Sequence, residues 1–169
     1  MKREEFIIDR FISEDVRGSF DKPFSKNNKL LADFNLHEAF VSTSFPGVLR
    51  GLHYQKPPHQ HKKIISVLSG QVLDCIICVD HGNPEFGNIY SFVLNARENS
   101  SLLVPEGFAH GFLSIGEEPA KVLYLTSSNH NTNADTGVLW NSIGFNWGIE
   151  KPIISDRDAS LPRFGEHEW

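Results

Sequence analysis

Lys63-Ile64-Ile65-Ser66-Val67-Leu68-Ser69-Gly70-Gln71-Val72-Leu73-Asp74-Cys75-Ile76-Ile77-Cys78-Val79 reads as two β-rich runs, Lys63–Leu68 and Val72–Val79, parted by the turn pair Ser69-Gly70. The same rhythm extends in both directions. Apolar, β-branched or aromatic runs recur at Phe6–Ile8, Ala39–Ser44, Val48–Tyr54, Ile89–Leu94, Ser101–Val104, Gly111–Ile115 and Lys121–Thr126. Between them lie turn signals such as His81-Gly82-Asn83-Pro84, Pro105-Glu106-Gly107 and Gly116-Glu117-Glu118-Pro119. Helical periodicity is confined to Lys26–Phe34, where a short helix or no more than a turn is expected. Many short strands at roughly 8–12-residue spacing predict an all-β antiparallel fold. The usual form is the cupin-type jelly-roll barrel of about eight strands. From Asn141 onward the tail is irregular, with a short helical piece expected at most, and no repeat or linker divides the chain. One domain over residues 1–169 is the expectation.

Composition narrows the function classes. With 40% hydrophobic and 22% charged residues the chain is ordinary for a globular protein. A net charge of −5 speaks against nucleic acid as the main partner, although a local basic cluster could still hold a small phosphorylated ligand. No apolar run approaches the ~20 residues that cross a bilayer, and Met1-Lys2-Arg3-Glu4-Glu5 has no signal-peptide core. A cytoplasmic location away from membranes is therefore expected. Cys75 and Cys78 have CxxC spacing, but they lie in a strand. Residues three apart on a regular strand face opposite sides of the sheet, so two separate buried thiols are expected.

Eight histidines raise the question of a metal. A metal-binding cupin barrel uses an H-x-H pair, a nearby Glu and a later His, and His59, His61 and His110 could fill the imidazole positions. The carboxylate is missing, and Lys62 and Lys63 follow His61 directly, placing two ammonium groups where a cation would sit. No metal and no cofactor is the expectation. Arg50, His53, Lys63 and His110 all lie in or beside apolar strands, where an ionisable group is costly without a partner. Singly, each could be a paired structural residue. Together they describe a pocket with a base, cations and a second imidazole, suited to an anionic ligand and proton abstraction.

Arg50-Gly51-Leu52-His53-Tyr54-Gln55, Lys63, Pro105-Glu106-Gly107-Phe108-Ala109-His110-Gly111-Phe112, Trp140-Asn141 and Ser155-Asp156-Arg157-Asp158 follow one another in a recognisable order. With Asp15-Val16-Arg17-Gly18-Ser19-Phe20 ahead of them, they resemble the dTDP-4-dehydrorhamnose 3,5-epimerase family over roughly Phe6 to Pro162. The resemblance implies a metal-free cupin jelly roll that forms a homodimer by exchanging an N-terminal segment. It implies a nucleotide-linked 4-keto-deoxysugar as substrate, made acidic at C3 and C5 by the C4 ketone. His53 matches the family's base, Asp158 the carboxylate that orients it, and Lys63 the cation at the enolate oxygen. Arg17, Arg50 and Arg157 match basic positions at the diphosphate, His110 matches a pocket histidine, and Gln55 closes the R-G-L-H-Y-Q motif at the substrate.

The chain also departs from that family. Where the family carries an acidic Tyr, the matching stretch Tyr124 to Gly137 places His130, and Thr132 stands in place of a Pro. His130 is therefore a candidate to return the proton, the alternative being a loop histidine with no role and return by water or another group. At the nucleotide end, Glu38, Phe40 and Lys22 stand where the family has Gln, Asn and Glu. A carboxylate, a phenyl ring and an ammonium cannot read a thymine edge as amides do, so another carrier is expected. Inversion of one centre only, as in a 5-epimerase of a CDP-dideoxyhexulose, fits these changes. A sugar-nucleotide 3,4-ketoisomerase and a non-catalytic sugar-binding cupin remain as alternatives.

Overall fold

The computed structural model describes residues 1–169 and shows twelve strands and one short α-helix. Two five-stranded antiparallel sheets face each other. The first has the order β1 (Ile7–Asp9), β9 (Ser100–Val104), β6 (Lys63–Ser69), β11 (Ala120–Thr126) and β4 (Glu38–Ser44). The second runs β12 (Asp135–Gly137), β5 (Leu49–Gln55), β10 (Phe108–Ile115), β7 (Gln71–Cys78) and β8 (Ile89–Asn95). The remaining pair, β2 (Phe11–Asp15) and β3 (Gly18–Lys22), forms a separate hairpin, and the helix α1 spans Asp156–Ala159. This is the expected all-β jelly roll. At Lys26–Phe34 the expected short element is a single 3-10 turn, Lys29–Leu31, capped by the Asn28 side chain.

Each sheet is buried on both faces. Between the sheets, Ile65, Val67, Val72, Ile76, Cys78, Phe92, Leu102, Phe108 and Val122 form the main core. Outside the second sheet, Leu49, Leu52, Tyr54, Cys75, Ile77 and Leu113 are covered by Ile143 and Trp147 of the C-terminal tail. Outside the first sheet, Ile64 and Leu125 pack on Ile8, Leu31 and Phe34. Two-sided burial explains why Val72–Val79, Asp74 apart, is apolar instead of alternating. Cys75 and Cys78 are both buried and unpaired, on opposite faces as the strand period requires.

The hairpin β2–β3 is exposed along most of its length and is tied down at its base. Arg10, whose side chain is fully buried, donates to the carbonyls of Val67, Ala96 and Glu98 and pairs with Asp21 at 3.1 Å.

One irregularity sets the inner face of β5. His53 pairs with His110 across the sheet, yet Arg50 pairs with Phe112, so two residues of β5 oppose the single residue Gly111. This is a β-bulge at Gly51-Leu52. On a regular strand Arg50 and His53 would face opposite sides; the extra residue turns both toward the space between the sheets. Gly51 has φ +108°, and a Cβ there would stand 2.6 Å from both the Gly111 Cα and the His110 carbonyl oxygen. Gly51→Ala is therefore expected to destabilise the protein by about 1–3 kcal/mol through overpacking. Denaturant unfolding measures it, and an unchanged midpoint would show that the two backbones are free to part.

Candidate active site

The two sheets diverge at one end around a cavity of about 310 Å³. The first sheet contributes neighbouring cross-strand rows, Glu38–Thr126–Lys63 and Phe40–Tyr124, with Ile65 continuing the second row into the core. The second sheet contributes Arg50, His53, Gln55, His110 and Asp135, and the tail closes the wall with Ser155, Arg157 and Asp158. Among the site residues expected from sequence, His53, Lys63, Asp158, His130, Arg50, Gln55, His110, Arg157 and Glu38 all line this one space. Arg17 and Lys22 do not. Arg17 is exposed on the β2–β3 turn and paired with Asp15, and Lys22 lies 5.9 Å from the Phe11 and Phe20 rings.

His53 and Asp158 form a tight pair, Nε2 to Oδ1 at 2.8 Å. The other carboxylate oxygen accepts the Gly51 backbone N–H at 2.9 Å, so the bulge and the dyad share one carboxylate. Ser155 caps α1 by accepting the Asp158 backbone N–H at 3.1 Å, which fixes where Asp158 enters. Burial by itself would raise the Asp158 carboxyl. The His53 hydrogen bond and charge, the Gly51 N–H and Arg157 outweigh it and hold the group ionised below its usual range. With Nε2–H donated to Asp158, Nδ1 is the imidazole nitrogen left with a lone pair. Arg157 lies 3.5 Å from His53 and is itself paired with Asp135 at 2.7 Å.

Sequence reasoning missed a second imidazole–carboxylate pair. His110 and Asp74, at 4% and 0% exposure, meet at 2.8 Å, and burial pushes the Asp74 carboxyl up. The available signal was an acid inside an apolar strand, which needs a partner to be there at all. Other lining groups were missed as well, among them Asp135, and His61, whose Nδ1 is 2.8 Å from the Gln55 amide nitrogen. Gln55 is 3% exposed, with both ends of its amide engaged by protein groups. His59, His61 and His110 have separate partners (Asn131, Gln55 and Asp74), and no three His, Cys, Asp or Glu side chains are grouped to hold a metal.

Lys63 donates to the His53 carbonyl at 3.2 Å, and burial pulls its pKa down from 10.5 to about 8, Asp135 partly offsetting this. Phe40 stacks on Tyr124 with centroids 4.8 Å apart and planes 12° from parallel, forming a flat aromatic wall beside Glu38. The cavity thus combines an oriented base, a desolvated cation, two arginines and an aromatic surface. That set suits abstraction of a proton from carbon next to a carbonyl, on a ligand bearing phosphate.

The family model described as dTDP-4-dehydrorhamnose 3,5-epimerase matches residues 3–166. The chain belongs to the dTDP-4-dehydrorhamnose 3,5-epimerase family. It is thereby an isomerase of the class acting on carbohydrate derivatives. The Shigella flexneri enzyme of that name is 35% identical over 130 residues, covering 76% of this chain and 71% of the relative. A crystal structure of the Bacillus anthracis epimerase, with TDP and pyrophosphate bound, superposes with a TM-score of 0.86 at 33% identity. That match covers 93% of this chain and 92% of the other. A 3'-monoepimerase from Streptomyces bikiniensis, ChmJ in complex with dTDP-quinovose, has a TM-score of 0.85 at 26% identity, covering 95% and 83%. No helix of the chain is long and apolar enough to cross a membrane.

The Lys63 shift has a definite sign for stability. With a folded pKa of about 8 below the ordinary 10.5, the folded state binds fewer protons between those values. The cost of burying the ammonium is fully present below pH ~8 and is relieved as pH rises toward ~10.5. Unfolding free energies of wild type and Lys63→Gln across that range should converge with rising pH from a gap favouring the variant. A pH-independent difference would show that the ammonium is not desolvated.

Proposed function

We propose that the chain epimerises a nucleotide-linked 4-keto-deoxysugar, and that His53 removes the proton next to the C4 ketone. The supporting observation is the 2.8 Å His53–Asp158 pair in the same cavity as Lys63. The C–H bond breaks toward Nδ1 of His53, its electron pair moves into the enolate, and the imidazolium is stabilised by Asp158. The Lys63 ammonium faces the negative charge that develops on the C4 oxygen. His130 then delivers a proton to the opposite face of the carbon, which inverts it. Both imidazoles return to their starting protonation by exchange with solvent. Arg50 and Arg157 hold the diphosphate, with His110 beside the sugar.

At the nucleotide end the proposal goes further from the family's name. Glu38 accepts hydrogen bonds and donates none when ionised, so it favours a base that presents amino or ring N–H groups, such as cytosine or guanine. Phe40 stacked on Tyr124 offers an apolar face in place of an amide. His130 is shorter than a tyrosine, which fits protonation at a single centre, as the monoepimerase relative shows is possible in this fold. Arg17 and Lys22 lie outside the cavity of their own chain and reach a site only in a homodimer that exchanges the N-terminal hairpin. A cytoplasmic setting fits this role in deoxysugar and surface-polysaccharide biosynthesis.

Asp158→Asn should leave the fold intact but lower kcat by roughly 10⁴-fold, since an amide no longer enforces the His53 tautomer. Steady-state kinetics at matched stability checks this, and unchanged turnover removes the dyad from the mechanism.

A panel of dTDP-, CDP- and GDP-linked 4-keto sugars in heavy water tests the whole reading by NMR. Deuterium at C3 or C5 with the ketone kept at C4 is the expected result, fastest on a carrier other than dTDP. A migrated carbonyl would mean a ketoisomerase, and binding without exchange would mean a sugar-binding protein.

A further inference from the structure

Three consecutive residues at the cavity wall, Asn129, His130 and Asn131, have backbone groups held by two side chains from opposite sheets. From β5, the Gln55 carboxamide oxygen accepts the Asn131 N–H at 2.6 Å. Its amide nitrogen lies 2.8 Å from the His59 carbonyl, 2.8 Å from His61 Nδ1 and 3.3 Å from the Asn129 carbonyl. From β4 of the other sheet, Glu38 Oε2 accepts the His130 N–H at 3.1 Å. The next turn is closed by Asn131, whose Oδ1 accepts the N–H groups of Asn133 and Ala134 at 3.1 Å each. His130 is thus held directly by Glu38 and flanked by two residues that Gln55 holds, and it lines the cavity.

We infer that Gln55 and Glu38 are positioning residues for proton return: together they bracket His130 and set where its imidazole stands against the sugar. The inference rests on the functional reading above, in which His130 is the acid. It reassigns Gln55 from the substrate contact suggested by its motif, because the buried amide has no free end to offer a ligand. It also gives Glu38 two tasks. One oxygen holds His130, and the carboxylate faces the nucleotide end of the cavity, so carrier and acid are coupled through one side chain.

The chemistry of the bracket is self-consistent. A Gln can donate to one side of the segment and accept from the other at once, whereas Glu in its place could only accept. His61 supports the arrangement, since burial first, then Lys63 and His130, press its pKa down to about 3 and keep its Nδ1 available as acceptor for Gln55. Abstraction is carried elsewhere, on His53 and Asp158, which make no hydrogen bond with Gln55. The two halves of the reaction are therefore separable by experiment.

The test uses the full chain and its best nucleotide 4-keto sugar in heavy water. It compares deuterium uptake into recovered substrate, which reports abstraction, with formation of inverted product, which needs return from the other face. Gln55→Glu should lower inversion by about 10²-fold, as a displacement of about 1 Å at a reacting group does. Uptake into recovered substrate should fall much less, so the exchange-to-inversion ratio rises. Glu38→Gln keeps an acceptor for the His130 N–H and should retain the wild-type ratio, while Glu38→Ala should raise it. Gln55→Glu combined with His130→Ala should show the ratio of His130→Ala alone, because the two act as one unit. If exchange and inversion fall in equal measure in Gln55→Glu, the amide merely supports the fold and the positioning role is overturned. If the wild type exchanges no sugar proton at all, the functional reading fails first, and the role of Gln55 with it.

Discussion

The close approach of β5 and β10 at Gly51 and Gly111 is the constraint on which the site depends. Strand geometry puts residues three apart on opposite faces. Without the bulge, either Arg50 or His53 would point into the apolar layer under the C-terminal tail, where Leu49, Leu52 and Tyr54 lie. The inserted residue turns both inward, and the absence of side chains at Gly51 and Gly111 lets the two backbones pack. The bulged backbone also supplies the N–H that binds Asp158. One local irregularity therefore turns both His53 and Arg50 into the cavity and anchors Asp158.

Electrostatics inside the cavity follows from how these groups share one poorly solvated space. Two imidazole–carboxylate pairs stand on adjacent strands, His53 directly opposite His110. Their carboxylates respond in opposite directions. Asp158 collects hydrogen bonds from His53 and Gly51 and stays below its usual range, whereas Asp74 has one oxygen unpartnered and burial raises it. The same burial that makes Lys63 expensive as an ammonium makes its charge effective at short range. On the proposed mechanism, the stability given up at Lys63 puts a positive charge in place before negative charge appears on the substrate.

How much of this could be read in the sequence depended on whether a feature is local. The sheet strands other than β12 were legible because each is a short apolar run between turn residues, and Val72–Val79 stayed legible even without alternation; Asp135-Thr136-Gly137 has no such run. The hairpin β2–β3 was not, because Phe11-Ile12-Ser13-Glu14-Asp15 is solvent-exposed along most of its length and shows no pattern of burial. Near Lys29 the short element is one turn, and a turn capped by Asn28 suffices to bring Leu31 and Phe34 under the first sheet. His53, Lys63 and Asp158 were reached through motif and resemblance, and the 2.8 Å pair shows how they meet. Asp74 and the engagement of Gln55 were out of reach, since both depend on which residue of a distant strand lies opposite.

The division of labour in the cavity follows the rigidity of its walls. His53, Lys63 and His110 sit on strands held by ladders on both sides. Asp158 comes from the tail, yet it is locked by a cap from Ser155 and by the bulge, so it is as fixed as a strand residue. His130 alone sits on a connecting segment, and its position is borrowed from Gln55 and Glu38. Chemistry on the strand side tolerates little change, because every group there also satisfies a buried partner. The segment that carries His130 can be moved by altering two side chains whose backbones stay in place. On the proposed mechanism, the face from which the proton returns is thus easier to alter than the face from which it leaves.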